Sequence, residues 1–230
     1  MAYQNGPKII TDNLMTYLDA ANPKSYSGSG STWTDISRSN NNASLFNTPT
    51  FSFQNLGGFV FDGTDDYASI SSFTNTFNGP FSLSVTFYQT SNTVSQVFFS
   101  NFNGGSNDGL FMQINSAGEG AGLRITYRQL GTNIFNFTQT APVSLNQFYN
   151  IICTYDGANA YTYYNGVRQS VSASATTYFS PVNTTLFIGT LTGADRLFTG
   201  RLYDIKIYKK GLSQSEIIQN YNTTKGRFKL

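Results

Sequence analysis

The chain has no histidine, one cysteine and one tryptophan in 230 residues. Without histidine there is no Ser-His-Asp triad, no Cys-His pair and no histidine metal site. One cysteine allows neither an internal disulfide framework nor a cysteine zinc site. Cys153 lies in an apolar strand, NIICTY, where a small buried thiol is expected rather than a reactive one. Glutamate is nearly missing as well, with Glu119 and Glu216 alone, so long salt-bridged helices are not expected. Charged residues are only 11% of the chain and the net charge is +2, which gives no broad nucleic-acid footprint. No apolar run approaches the ~20 residues of a membrane-spanning helix. The opening MAYQNGPKII lacks the basic and apolar regions of a signal peptide.

What is present favours β-structure. Ser, Thr and Asn make up a third of the chain, and Phe and Tyr add 20 and 15 residues. Thr, Tyr and Phe suit a pleated, half-buried surface; Asn, Gly and Ser suit turns. Aromatics at 16% supply enough apolar area for a sizeable core despite the polar background. The cleanest alternation is residues 81–87, FSLSVTF. It predicts Phe81, Leu83, Val85 and Phe87 inside and Ser82, Ser84 and Thr86 in solvent. In residues 201–208 the same logic puts Tyr203, Ile205 and Ile207 on one face, with Asp204 and Lys206 on the other. Further strands are expected near 14–18, 58–62, 67–70, 96–100, 110–114, 123–127, 134–137, 148–155, 160–164 and 186–189. Asn165-Gly166 is a strong hairpin signal. A dozen short strands with regular turns read as a two-sheet antiparallel sandwich. No linker divides it, so residues 1–230 read as one domain.

One helix is well specified, over 211–222. Ser213-Gln-Ser-Glu216 is a capping box, with Leu212 and Ile217 at the staple positions. Ile217, Ile218 and Tyr221 then form its apolar stripe. Residues 223–230 read as a basic tail.

Several segments carry a resemblance. Residues 59–67 (FVFDGTDDY) resemble the strand-turn-strand of laminin-G-like, concanavalin A-like jelly-roll domains. Residues 81–87, 149–157, 163–167 (YYNGV), 186–189 (LFIG), 200–208 and 212–217 (LSQSEI) resemble their later strands and closing helix, in the same order. The resemblance implies an all-β jelly roll. A narrower likeness is to virion proteins of tailed bacteriophages. It rests on residues 18–26 (LDAANPKSY), 28–30 (GSG), 32–37 (TWTDIS), 217–221 and 225–228 (KGRF). Residues 38–42, RSNNN, depart from the Gly-rich stretch usual there.

That likeness implies a non-enzymatic structural protein on a virion surface: a capsid decoration, fibre or tail component. It would be made in the host cytoplasm without a signal peptide. Its partners would be other virion proteins, further copies of itself as a homo-oligomer, and a host surface glycan, with no nucleic acid or membrane. The alternative is a soluble carbohydrate-binding lectin module. Related glucanases place paired Glu residues on one strand. Here Glu119 sits in a Gly-rich turn and Glu216 in the capping box, so no such pair exists and no catalytic residue is assigned.

No cofactor is required. The resemblance implies a structural calcium with an aspartate of the penultimate strand among its ligands, a position that would correspond to Asp204, near the Gly63 carbonyl. The plain alternative is a hydrogen-bonded Asp62-Gly63 turn and an Asp204–Lys206 surface pair; Asp65 and Asp66 adjoin that turn. Candidate sugar platforms are Trp33, Tyr161 and Tyr163, although a lone Trp after a turn commonly anchors a core and outward Tyr also marks protein interfaces. Charge is divided: residues 1–200 carry −3 and residues 201–230 carry +5. Lys225, Arg227 and Lys229 therefore become candidates for docking on an acidic neighbour.

Overall fold

The computed structural model describes residues 8–73, 77, 79–103, 108–129, 132–174 and 185–228. Among them are sixteen strands and one α-helix. In chain order the strands are β1 (Leu14–Asp19), β2 (Thr32–Trp33), β3 (Ala43–Phe46), β4 (Thr50–Ser52), β5 (Gly58–Asp62), β6 (Tyr67–Ile70), β7 (Phe81–Gln89) and β8 (Gln96–Ser100). They continue with β9 (Gly109–Ile114), β10 (Gly122–Gln129), β11 (Thr132–Pro142), β12 (Phe148–Tyr155), β13 (Asn159–Tyr164), β14 (Val167–Ser174), β15 (Leu186–Ile188) and β16 (Thr199–Tyr208). Helix α1 (Gln214–Phe228) closes the chain.

The strands form two eight-stranded antiparallel sheets. Sheet A runs β14-β13-β12-β7-β16-β5-β4, with β1 also on β16; sheet B runs β11-β10-β9-β8-β15-β6-β3-β2. The inner faces meet in one apolar core. Leu83, Val85 and Phe87 of β7, Leu110, Met112 and Ile114 of β9, and Ile125 of β10 are all buried in it. Phe87 meets Phe98 across the sandwich at 4.5 Å between ring centroids. The jelly-roll expectation therefore holds, as does the Asn-Gly hairpin. Asn165 and Gly166 both adopt positive φ between β13 and β14. A Cβ on Gly166 would also lie 2.7 Å from the Tyr221 ring, so helix packing and turn geometry both demand glycine.

Three details differ from the sequence pattern. Ser82, Ser84 and Thr86 are buried rather than solvated. Alternation reports which face a residue takes, but not whether another layer covers that face; here α1 does. On β16 a bulge between Leu202 and Asp204 breaks the strict period. Leu202, Ile205 and Ile207 face the core, and Tyr203 turns outward to meet Phe148 and Phe228.

The third difference is the helix. Its capping box forms as expected: the Ser213 amide donates to Glu216 at 2.9 Å and the Glu216 amide donates to Ser213 Oγ at 3.4 Å. Leu212 and Ile217 pack together over Tyr208 and Tyr163. The helix does not stop at 222 but runs to Phe228, so residues 223–228 are not a tail. The buried stripe is Ile217, Asn220, Thr224 and Phe228, while Ile218 is exposed. The last two turns hold because Phe228 packs on Tyr203 and Phe148 and because Arg227 is pinned. Lys225 and Arg227 in the final turn also oppose the negative end of the helix dipole.

Candidate functional site

The structure brings two of the predicted sugar-binding residues together. Tyr161 and Tyr163 lie two apart on β13 and so share its outer face. Thr162 between them is buried, and Tyr164, the next residue along, turns into the core. The pair lines a recess of about 310 Å³ on sheet A, beside the start of α1. Thr154, Asp156, Arg168, Leu212, Ser213 and Gln214 complete the lining.

Each wall has a local cause. The Arg168 guanidinium lies 4.1 Å above the Tyr161 ring, a cation–π contact that fixes its direction. Tyr163 is buried at the floor with Ile152 and Leu212, and this burial pushes its phenol above the ordinary range. Asp156 accepts the amides of Ala158 and Asn159 at 2.8 and 2.7 Å, which holds its carboxylate at the rim. Thr154 donates to the Leu212 carbonyl at 3.3 Å and so ties the helix entry to β12. The recess thus offers aromatic surface, a fixed guanidinium and a carboxylate. That set can stack on a sugar ring and hydrogen-bond its hydroxyls.

Sequence reading missed Arg168 and Asp156 as members. The signal was available in part: the Asn-Gly turn folds β14 back on β13, and Tyr163 then pairs with Arg168 in register.

The other candidates fall elsewhere. Trp33 is fully buried, edge-on to Phe59 at 4.9 Å, so it anchors the core and presents no platform. Arg227 is held within the molecule. It bonds Asp19 at 2.8 Å, donates to the Asn55 carbonyl at 2.7 Å and also to the Gly57 carbonyl. With three protein acceptors on a side chain only 10% exposed, Arg227 is not free for a partner, which corrects its assignment as a docking residue. Lys225 is half-buried, 5.7 Å above the Tyr221 ring. Lys229 lies outside the described residues.

Asp204 and Gly63 do not form one metal site. Gly63 packs against Thr199 at the start of β16. Asp204 stands five residues further along, about 16 Å at ~3.3 Å per residue. Its carboxylate is buried and salt-bridged to Lys206, so the expected surface pair is an interior one. A calcium ion would meet an ammonium there, and these residues do not fit it. Asp62, Asp65 and Asp66 do cluster, with carboxylate oxygens within 4.8 Å of one another. They form the hydrogen-bonded turn. Asp62 accepts the amides of Thr64 and Asp65 at 2.7 and 3.4 Å, and Asp66 accepts the amide of Asp62 at 3.2 Å.

The two glutamates are engaged separately, over opposite sheets. Glu119 accepts from Ser95 at 2.5 Å on sheet B, and Glu216 is shared by the capping box and Lys210. Burial pushes the Cys153 thiol well up, in keeping with an inert core residue.

Residues 62–218 match the family model of the concanavalin A-like lectin/glucanases superfamily. The chain belongs to that family. No curated protein matches it by sequence. Among solved structures, the ligand-binding domain of botulinum neurotoxin serotype D, in complex with N-acetylneuraminic acid, is similar with a TM-score of 0.73 at 14% identity. The match covers 93% of this chain and 52% of the toxin chain. The binding domain of Paraclostridial mosquitocidal protein 1 has a TM-score of 0.71 at 14% identity, over 93% and 52% of the two chains. A mutant Trypanosoma rangeli sialidase displaying trans-sialidase activity has a TM-score of 0.68 at 16% identity, over 95% of this chain and 34% of its own. At these identities the likeness is one of fold. The chain spans about half the length of the toxin domains it matches.

Proposed function

We propose that this lectin-fold chain is a non-catalytic carbohydrate-binding part, with the Tyr161–Tyr163–Arg168 recess as its sugar site. The observation that carries the reading is the convergence of two tyrosine rings, a stacked guanidinium and a carboxylate in one recess of monosaccharide scale. The guanidinium is already held by the Tyr161 ring, so little ordering remains to be done when a ligand arrives. The fold neighbours, which include a toxin domain in complex with N-acetylneuraminic acid, fit a binding role without identifying the sugar. The engagement of Glu119 in a turn and Glu216 in a helix cap favours binding over hydrolysis. The site needs no metal: calcium or a chelator is expected to leave the melting temperature unmoved, and a clear calcium-dependent rise would overturn that.

A glycan array with the intact protein tests the reading. Saturable binding should appear and should fall at least tenfold in Tyr161→Ala and Arg168→Ala. An array without binders, or binding untouched by both changes, defeats it.

The setting we propose is the surface of a tailed-phage particle, in many copies. The motifs at residues 18–26 and 32–37 support this, as does a Ser/Thr/Asn-rich surface suited to crowding. Partner proteins would be other virion components. Co-sedimentation with intact particles would support the assignment; its absence from purified particles would leave the free lectin module as the better reading.

A further inference from the structure

The outer face of sheet B carries a second polar site, independent of the tyrosine recess. The loop at 189–198, between β15 and β16, folds over the middle of that face. Leu191 seals it among Val97, Phe102 and Phe111, and the Leu191 amide donates to the Asp195 carbonyl at 2.8 Å. Two cavities open beside this loop, of about 360 and 320 Å³, and Asp195 and Arg196 line both. The first is completed by Ser95, Gln113, Glu119 and Arg124, the second by Arg128 and Phe111.

Arg196 is the hinge of the arrangement. Its φ is +52°, a left-handed conformation unusual for a residue with a side chain. The backbone is fixed there because the Arg196 carbonyl accepts the Val97 amide at 3.0 Å. The side chain then reaches Gln113, a buried residue, at 2.7 Å and passes 5.7 Å from the Phe111 ring. Arg124 is oriented in turn: its Nε donates to Thr126 and Asn136 at 3.1 and 3.2 Å. Strain at a residue held this firmly is a recurring mark of a functional site.

The charge distribution points the same way. Residues 1–200 carry a net −3 with seven basic side chains in all, and three of those seven, Arg124, Arg128 and Arg196, line these adjoining cavities. We infer that this groove binds an acidic saccharide, its carboxylate or sulfate group held by Arg124 and Arg196. Guanidinium forks match such groups by bidentate hydrogen bonds. Glu119 and Asp195 at the rim would repel a purely anionic peptide, yet they accept hydrogen bonds from sugar hydroxyls. The amide of Gln113 and the hydroxyl of Ser95 add to that second set. Glu119 remains an acceptor into mildly acid solution, because its hydrogen bond from Ser95, aided by Arg124 and Arg196, holds its carboxyl below the ordinary range.

Calorimetric titration of the intact protein with three probes tests this. Heparin oligosaccharide offers sulfate and carboxylate, oligogalacturonate offers carboxylate alone, and maltodextrin is neutral. At least one acidic probe should bind tenfold or more tighter than maltodextrin, weakening as salt rises; the better of the two identifies the group. Arg124→Gln and Arg196→Lys should each reduce acidic binding at least fivefold. Equal or absent binding of all three probes overturns the inference. So does acidic binding that survives both variants, which would mark simple attraction to the +5 end of the chain. If Arg196→Lys melts early, the half-exposed Arg124 carries the test. Loss of array binding in Tyr161→Ala reports on the opposite sheet, so the two proposals fail separately.

Discussion

Helix α1 covers the outer face of sheet A, whereas a ten-residue loop covers the outer face of sheet B. Beneath the helix lie Ser82, Ser84, Thr86, Asn150, Asp204 and Lys206, every one of them buried. Besides the apolar anchors Ile217 and Phe228, its contacts include polar pins: Asn220 to Tyr208 at 3.0 Å, and Arg227 to Asp19 at 2.8 Å. Beneath the loop lie Val97, Phe102 and Phe111, an apolar patch closed by Leu191. The polar cover must be satisfied group by group, so removing one partner strands another. The apolar cover is non-directional and loses only area and packing. The first fixes one helix position; the second leaves polar cavities open at its margins.

The sharpest way to break that contrast is Lys206. Replacing it with Met leaves the Asp204 carboxylate buried beside an apolar chain. Urea denaturation should show a loss of about 3–5 kcal/mol, and adding Asp204→Leu should return most of it. A loss in the double variant equal to the single would mean the pair is not the pin. Next is Arg227→Ala, which removes an ion pair only 10% and 15% exposed and two bonds to the Asn55–Gly57 turn. It should cost about 2 kcal/mol. Amide exchange should rise first in the last two turns of α1 and at residues 54–57. Leu191→Ala tests the other cover. It should cost about 2 kcal/mol, at the low end for a buried leucine because the patch is small and near the surface. Its exchange signature should stay within 189–198 and leave α1 protected.

The comparison also shows how far the sequence could be read. Strand β12 was legible to the residue, because TY and II pairs there sit between a clear loop and an Asp-Gly turn. The helix start was equally plain, since a capping box is a local code. What escaped was tertiary. Ser82, Ser84 and Thr86 look solvated in any window of β7, and only the return of the chain 130 residues later buries them. The Lys225–Phe228 turn reads as a basic tail until Tyr203 bulges outward to receive Phe228. For the sites, Tyr161 and Tyr163 were visible as an alternating pair. Arg168 joins them through one hairpin, a short step. The Arg124–Arg196 groove joins residues 72 positions apart across a loop crossing, and no local pattern announces it.

Glu216 offers the smallest and most specific test of the polar cover. Burial raises its pKa, but the hydrogen bonds from Lys210 and Ser213 outweigh that, and the net shift is downward from 4.5. A carboxylate with a lowered folded pKa contributes stability that is complete above the unfolded value. That contribution fades as pH falls through the folded value. Glu216→Gln keeps the size and one capping hydrogen bond but removes the charge facing Lys210. At pH 7 the variant should be less stable by about 0.5 kcal/mol. Below pH 4 the gap between wild type and variant should close as the wild-type carboxyl protonates. Lys210 also holds Asp12 at 2.9 Å, so the slope that persists in Glu216→Gln should shrink further when Asp12→Asn is added. A gap that stayed constant from pH 7 to pH 3 would assign Glu216 to shape alone and remove charge from the account of how α1 is seated.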